Sequence, residues 1–287
     1  MATEFERPAV ARLLPGTSIE IRNEDIPRGG IRSALFDFDG TVSLIREGWQ
    51  GVMIPMMVDI LKDLHTGESD DELFSVVREF VTRLTGRQTI YQMIEFAGHV
   101  ERRGGTPLDP VEYKRMYLDL LWERIEHRVA GLKSGQIDPD DMIVPGARDL
   151  LKNLCERGIS CYLASGTDEE YVLDEAAAVG VSQYFAGIYG ALDNIGDVPD
   201  VKAAVIQNII RDHNLHGSEL VAFGDGYVEI ENTKNVGGIS IGVATDEVQR
   251  AGIDEWKRSR LIMAGADVVI AEFREQDTLV KYLMGEV

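Results

Sequence analysis

The sequence predicts an α/β fold: a Rossmann-like parallel sheet with helices on both faces, interrupted by an inserted all-helical cap. Three observations carry this. The apolar run Ser33–Phe36 ends in two acids, Asp37 and Asp39, and then Gly40-Thr41. Residues 48–141 show helical periodicity with few strand signals. After Val144-Pro145-Gly146, short apolar runs alternate with amphipathic stretches.

The elements follow in order. Residues 18–22 alternate apolar and polar, as a short edge strand does, and Pro27-Arg28-Gly29-Gly30 leads into the strand ending at Asp37. Helices are expected over 53–64, 71–84, 89–100 and 110–129. Thr66-Gly67-Glu68-Ser69-Asp70 and Arg103-Gly104-Gly105-Thr106-Pro107 punctuate them. Met116, Leu120 and Ile125, with Trp122, read as the apolar core of the last helix. A helix over 147–157 stops at Gly158, a good C′ residue. A strand follows over 159–164, and Thr167 to Glu170 reads as a capping box opening the next helix. Then come strand 185–189, helix 201–213, strand 220–223, strand 239–243, helix 256–264, strand 268–270 and helix 276–284. Right-handed crossovers make such a sheet mostly parallel. The domain reading is an N-terminal extension (1–30), a core (31–47 with 142–287) and a helical cap (48–141).

The chain has 287 residues, 44% of them hydrophobic, and a net charge of −20. That balance excludes a nucleic-acid or anionic-membrane partner, because no basic surface exists to release counterions. It leaves an anionic small substrate open, since a cation inside a pocket reverses the local field. The two cysteines, Cys155 and Cys161, read as buried free thiols in a reducing compartment. No apolar run approaches the ~20 residues of a membrane helix, and 1–15 lack a signal peptide's apolar centre. The expectation is a soluble, cytoplasmic protein. The five histidines show no ligand spacing.

Ligands of such sheets bind beyond the carboxyl ends of the strands. Asp37 and Asp39 end one strand, Ser165 another and Asp225 a third, with Lys202 at a helix start. Two close carboxylates are costly to desolvate without a cation or proton between them. A carboxylate can attack phosphorus and form an acyl phosphate, while a second acid protonates the leaving oxygen. A hydroxyl, a lysine and Mg²⁺ would hold the phosphoryl oxygens. Asp37, the backbone carbonyl of Asp39 and Asp225 could supply the protein's ligands to Mg²⁺.

In these residues the chain resembles the haloacid dehalogenase (HAD)-like hydrolase superfamily, in its phosphatase branch with a helical (C1-type) cap. The family's four motifs are matched by Asp37-Phe38-Asp39-Gly40-Thr41, by Tyr162-Leu163-Ala164-Ser165-Gly166-Thr167, by Lys202, and by Gly224-Asp225-Gly226-Tyr227-Val228-Glu229. The resemblance implies roles. Asp37 is the nucleophile and Asp39 the general acid, then base. Ser165 holds a phosphoryl oxygen, with Gly166 and the backbone N–H groups of a helix start beside it. Lys202 bridges the phosphate and Asp37. Asp225 ligates Mg²⁺, with Glu229 in the outer sphere, and the metal set is Asp37, Asp39, Asp225 and Glu229. Glu229 departs from the family's usual Asp; its rival Glu231 reads as a solvated helix charge.

Substrate choice would fall to residues facing the site from the cap. Arg87, presented by Gly86, and Arg46 suit a second phosphate or a carboxylate. Trp49 reads as packing between cap and core, and Gly48 and the 139–146 region as hinges. The reading is a Mg²⁺-dependent phosphatase. Its partner is a small phosphorylated metabolite, a sugar phosphate or phosphoglycolate-like acid, and a homodimer is possible. A phosphomutase of similar build and a non-catalytic binding protein are the alternatives.

Overall fold

The computed structural model describes residues 12–191 and 201–287. Asp200 and residues 1–11 of the expected N-terminal extension lie outside them. The strands are β1 (Arg12–Leu13), β2 (Glu20–Ile21), β3 (Ser33–Phe36), β4 (Ser160–Asp168), β5 (Phe185–Ala191), β6 (Leu220–Gly224), β7 (Ile239–Val243) and β8 (Val268–Ile270). They form one sheet in the order β1-β2-β8-β7-β6-β3-β4-β5. The strands from β3 onward pair in parallel, and β2 joins the edge of β8 antiparallel. The alternating run at 18–22 is therefore a strand, and it caps the sheet edge with β1.

Alternation along the central strands sorts side chains to two faces. Ala34, Phe36, Cys161, Leu163, Val221 and Phe223 enter one apolar cluster. Leu35, Tyr162, Ala164, Leu220 and Ala222 enter another. Phe36 and Phe223 stack with ring centroids 4.6 Å apart. The inserted helices are α1 (Gln50–Lys62), α2 (Asp70–Arg83), α3 (Thr89–Arg102) and α4 (Pro110–Lys133), all between β3 and β4. The remaining helices are α5 (Ala147–Glu156), α6 (Glu169–Ala178), α7 (Val201–Asp212), α8 (Tyr227–Asn235), α9 (Glu255–Met263) and α10 (Gln276–Leu283). No helix among the described residues is long and apolar enough to cross a membrane.

Three expectations need correction. The buried stripe of α4 is Tyr113, Tyr117, Leu121, Ile125 and Val129, each four residues on. Met116, Leu120 and Trp122 are exposed. Of the expected residues only Ile125 is buried, and the buried face is the i, i+4 row led by the tyrosines. Cys155 is an exposed thiol and only Cys161 is buried. The expected capping box at 167–170 does not form: β4 runs on through Thr167, and α6 starts after Asp168 with no side-chain cap.

Two local devices shape the inserted helices. Ser69 and Glu72 form a reciprocal capping box at the start of α2. Just before it, Glu68 takes a two-pronged bond from Arg103 at the end of α3, with both N···O distances 2.7 Å. Those bonds, with that from Thr66, pull the Glu68 carboxyl from its ordinary 4.5 down to about 2. A lowered folded value means the stabilisation is full above the ordinary value and is lost as pH falls through the folded one. The pair is partly exposed, so its worth is about 1 kcal/mol after solvent screening. In urea titrations, Glu68→Gln should be less stable than the parent by that amount at pH 7, and the gap should close between pH 4.5 and pH 2.

Candidate active site

Asp37 is the first residue beyond β3, and its N–H donates to the Phe223 carbonyl at 2.9 Å. Phe36 is level with Leu163 on β4 and Phe223 on β6. Ser165 and Asp225, each two residues further along its own strand, therefore flank the Asp37 carboxylate from either side. Parallel pairing alone accounts for this convergence.

Lys202, at the start of α7, reaches in from a third direction. Its Nζ lies 2.8 Å from Asp37 Oδ2 and 2.9 Å from Glu229 Oε2, with all three groups buried. Glu229 is fixed again by the Gly226 N–H at 2.6 Å, and Asp37 Oδ1 by the Phe38 N–H at 2.8 Å. Burial works against the Lys202 ammonium, but the flanking carboxylates of Asp37 and Glu229 outweigh it and hold the amine charged. Burial lifts Asp37 well above the ordinary aspartate value; Lys202 opposes this, while Glu229 and Asp225 add to it. The site thus holds more negative charge than its lysine balances. Asp37, Asp225 and Glu229 each offer an oxygen within 4.8 Å of the others. Three hard carboxylate donors with excess negative charge fit a divalent cation such as Mg²⁺. The Asp39 carboxylate is not part of this group.

Asp39 does other work. Its Oδ2 accepts from Thr167 Oγ1 at 2.8 Å, and Ser165 Oγ is 3.5 Å away. Its Oδ1 is buried with no hydrogen-bond partner among the described residues. Ser165 sits inside β4, four residues before α6 begins, so it is not at a helix start. The Thr167 N–H instead closes a short turn onto Ser165 Oγ at 3.0 Å. The extension of β4 thereby recruits Thr167, which carried no signal in the sequence beyond a supposed cap.

Lys257 and Glu247 were also missed. Lys257 on α9 places Nζ 2.8 Å from Asp225 Oδ2 and 2.5 Å from Glu247 Oε1. Neither residue belongs to a local pattern. Gly40 makes the approach possible: its φ is +74°, and a Cβ there would overlap Asp225 Oδ2.

The inserted helices close over these groups, leaving a cavity of about 100 Å³. Trp49 and Met53 line it, and Trp49 packs on the core as expected. Arg46 is buried, but its guanidinium is chelated by Glu175 of α6 at 2.6–3.1 Å. Its Nε is 3.9 Å from Asp39 Oδ1. Arg87 follows Gly86 (φ +97°) and lines the cavity rim, where its Nε donates to Tyr227 Oη at 3.0 Å. Gln88 packs against Gly166 beside it. Glu231 is exposed, as a solvated helix charge is.

The model of the haloacid dehalogenase-like hydrolases matches residues 31–237, a span that includes Asp37, Ser165, Lys202 and Asp225. The chain belongs to this family. Among solved structures it is similar to a predicted phosphoglycolate phosphatase from Haemophilus somnus 129pt, at 13% identity over 87% of this chain and 98% of that one, TM-score 0.56. It is similar also to β-phosphoglucomutase from Clostridium difficile, at 15% identity over 89% and 98%, TM-score 0.57. CbbY from Rhodobacter sphaeroides, in complex with phosphate, gives 19% identity over 85% and 96%, TM-score 0.53. These likenesses establish the fold. No curated protein matches the sequence.

This haloacid dehalogenase-like hydrolase holds its acids with two lysines, Lys202 between Asp37 and Glu229 and Lys257 between Asp225 and Glu247. Removing one partner of a buried ion pair leaves an uncompensated charge. Lys257→Met should therefore lower the unfolding free energy by about 3 kcal/mol, read by chemical denaturation of the metal-free protein. An unchanged denaturation midpoint would remove Lys257 from the electrostatic account of the site.

Proposed function

We propose that the protein is a Mg²⁺-dependent phosphatase of a small organic phosphate monoester, a sugar phosphate or phosphoglycolate-like acid, acting through an aspartyl phosphate at Asp37. One observation carries the reading. The Asp37 carboxylate is fixed at the floor of a cavity by Lys202 and the Phe38 N–H, while Asp39, two residues on, keeps a buried oxygen without a hydrogen bond among the described residues.

In this reading an Asp37 oxygen attacks phosphorus and the ester oxygen leaves with a proton from Asp39. Asp39 then takes a proton from the water that attacks the acyl phosphate, releasing inorganic phosphate and restoring Asp37. Thr167 holds Asp39 in place for both transfers through its 2.8 Å bond. Ser165 and Lys202 steady the phosphoryl oxygens. Asp37, Asp225 and the Asp39 carbonyl would hold Mg²⁺, with Glu229 behind, and the bound ion would supply neutralisation of the transferring group's charge. The inserted helices exclude bulk water while the acyl phosphate exists. Nothing in this chemistry needs a membrane or a nucleic acid, and the partner is a small phosphorylated metabolite in the cytoplasm.

The test is phosphate release from sugar phosphates, phosphoglycolate and an aryl phosphate, with Mg²⁺ and with EDTA. Release should require the metal, and Asp37→Asn should lower kcat at least about a thousandfold. Transfer to a sugar hydroxyl in place of release would mark a phosphomutase. Full turnover by Asp37→Asn would overturn the covalent route.

A further inference from the structure

The wall of the cavity opposite Asp37 carries hydrogen-bonding groups with nothing to bind. Tyr117 of α4 is 4% exposed, and its hydroxyl has no hydrogen-bond partner among the described residues. Gln92 of α3 is 3% exposed; its Nε2 donates to the Val81 carbonyl at 3.1 Å, and its Oε1 accepts no bond from the described residues. Both residues line the cavity. The fully enclosed unpartnered side-chain atoms are those of Asp39, Thr41, Thr233 and Arg250, and neither of these two is among them. Each therefore opens on to the cavity. A buried hydroxyl and a buried amide oxygen left without partners cost free energy that a bound molecule can recover.

The buried cation on the same wall is already paired. Arg46 is the buried cation there, and Glu175 takes it in a two-pronged pair. Arg87 stands exposed at the rim and is tied to Tyr227. A second carboxylate or phosphate pushed against Tyr117 and Gln92 would be a buried anion without a free cation, which is costly. A hydroxyl satisfies both groups, because it donates to the Gln92 oxygen and accepts from Tyr117.

We infer that the leaving group of the substrate is uncharged and hydroxylated, and that Tyr117 and Gln92 read its hydroxyls. The inference rests on the phosphatase reading and chooses, within it, a polyol phosphate over a phosphoglycolate-like acid.

The probes are glycerol 3-phosphate, ethyl phosphate and phosphoglycolate, which share the ester and differ in hydroxyls and charge. With Mg²⁺, kcat/KM should be about tenfold or more higher for glycerol 3-phosphate than for either other ester. Tyr117→Phe should raise KM for glycerol 3-phosphate about tenfold with a smaller change for ethyl phosphate, its melting temperature being checked alongside. A preference for phosphoglycolate, or an equal loss on every ester in Tyr117→Phe, would overturn the inference. Calorimetric binding of the same three esters to Asp37→Asn separates recognition from chemistry. The same ranking in binding with no turnover in the parent would sink the phosphatase reading and keep the assignment of Tyr117 and Gln92. No ranking in binding would sink that assignment whatever the turnover.

Discussion

One ammonium group organises the centre of this molecule. Lys202 lies between Asp37 and Glu229, out of reach of solvent, and without it three carboxylates could not share the end of a single sheet. Desolvating like charges together is among the most expensive things a fold can do. The cost is met here by direction as much as by charge: α7 delivers the lysine along one face, while the strand ends deliver the acids. Gly226 and Phe38 then use backbone N–H groups to fix the carboxylates that the ammonium attracts. The acids are held rigid, and so is the field they generate.

A second lysine repeats the arrangement one strand away. Lys257 donates to Asp225 Oδ2 and to Glu247 Oε1, so that this ammonium too sits between two carboxylates. The site is in this sense a row of alternating charges threaded through the sheet mouth. Arg46 and Glu175 extend it toward the inserted helices. Arg128 of α4 grips the linker between β3 and α1 by donating to the Ile45 and Glu47 carbonyls at 2.7 and 3.1 Å, which keeps the row's last members in register.

The central region of this was legible in the sequence because it is written locally. The strand Ser33–Phe36 with its trailing acids, the Gly224-Asp225 pair and the helical stretch between β3 and β4 all announce themselves within a few residues. What was not legible depends on contacts between distant segments. Lys257 lies 32 positions from Asp225, and its helix looks like any charged helix. Arg46 reads as a free anion-binding guanidinium until Glu175, 129 residues away, is found chelating it. Thr167 reads as a helix cap by local preference, yet pairing with β5 extends β4 past it, and the hydroxyl turns to Asp39 instead. The α4 stripe failed for a related reason. Periodicity gives the spacing of a buried face but not its phase when tyrosines, amphipathic themselves, lead it.

The roof over the cavity rests on bare backbone. Gly86 in the turn between α2 and α3 faces Gly226, where an added Cβ would come within 3.1 Å of the Gly86 Cα, and Gly166 lies as close under the Arg87 carbonyl. Side chains at this seam would act as spacers and prop the roof ajar. With none there, the two halves meet at main-chain distance along that line. The width of the seam is set by the thickness of a peptide, and any larger residue at Gly86, Gly166 or Gly226 would widen it.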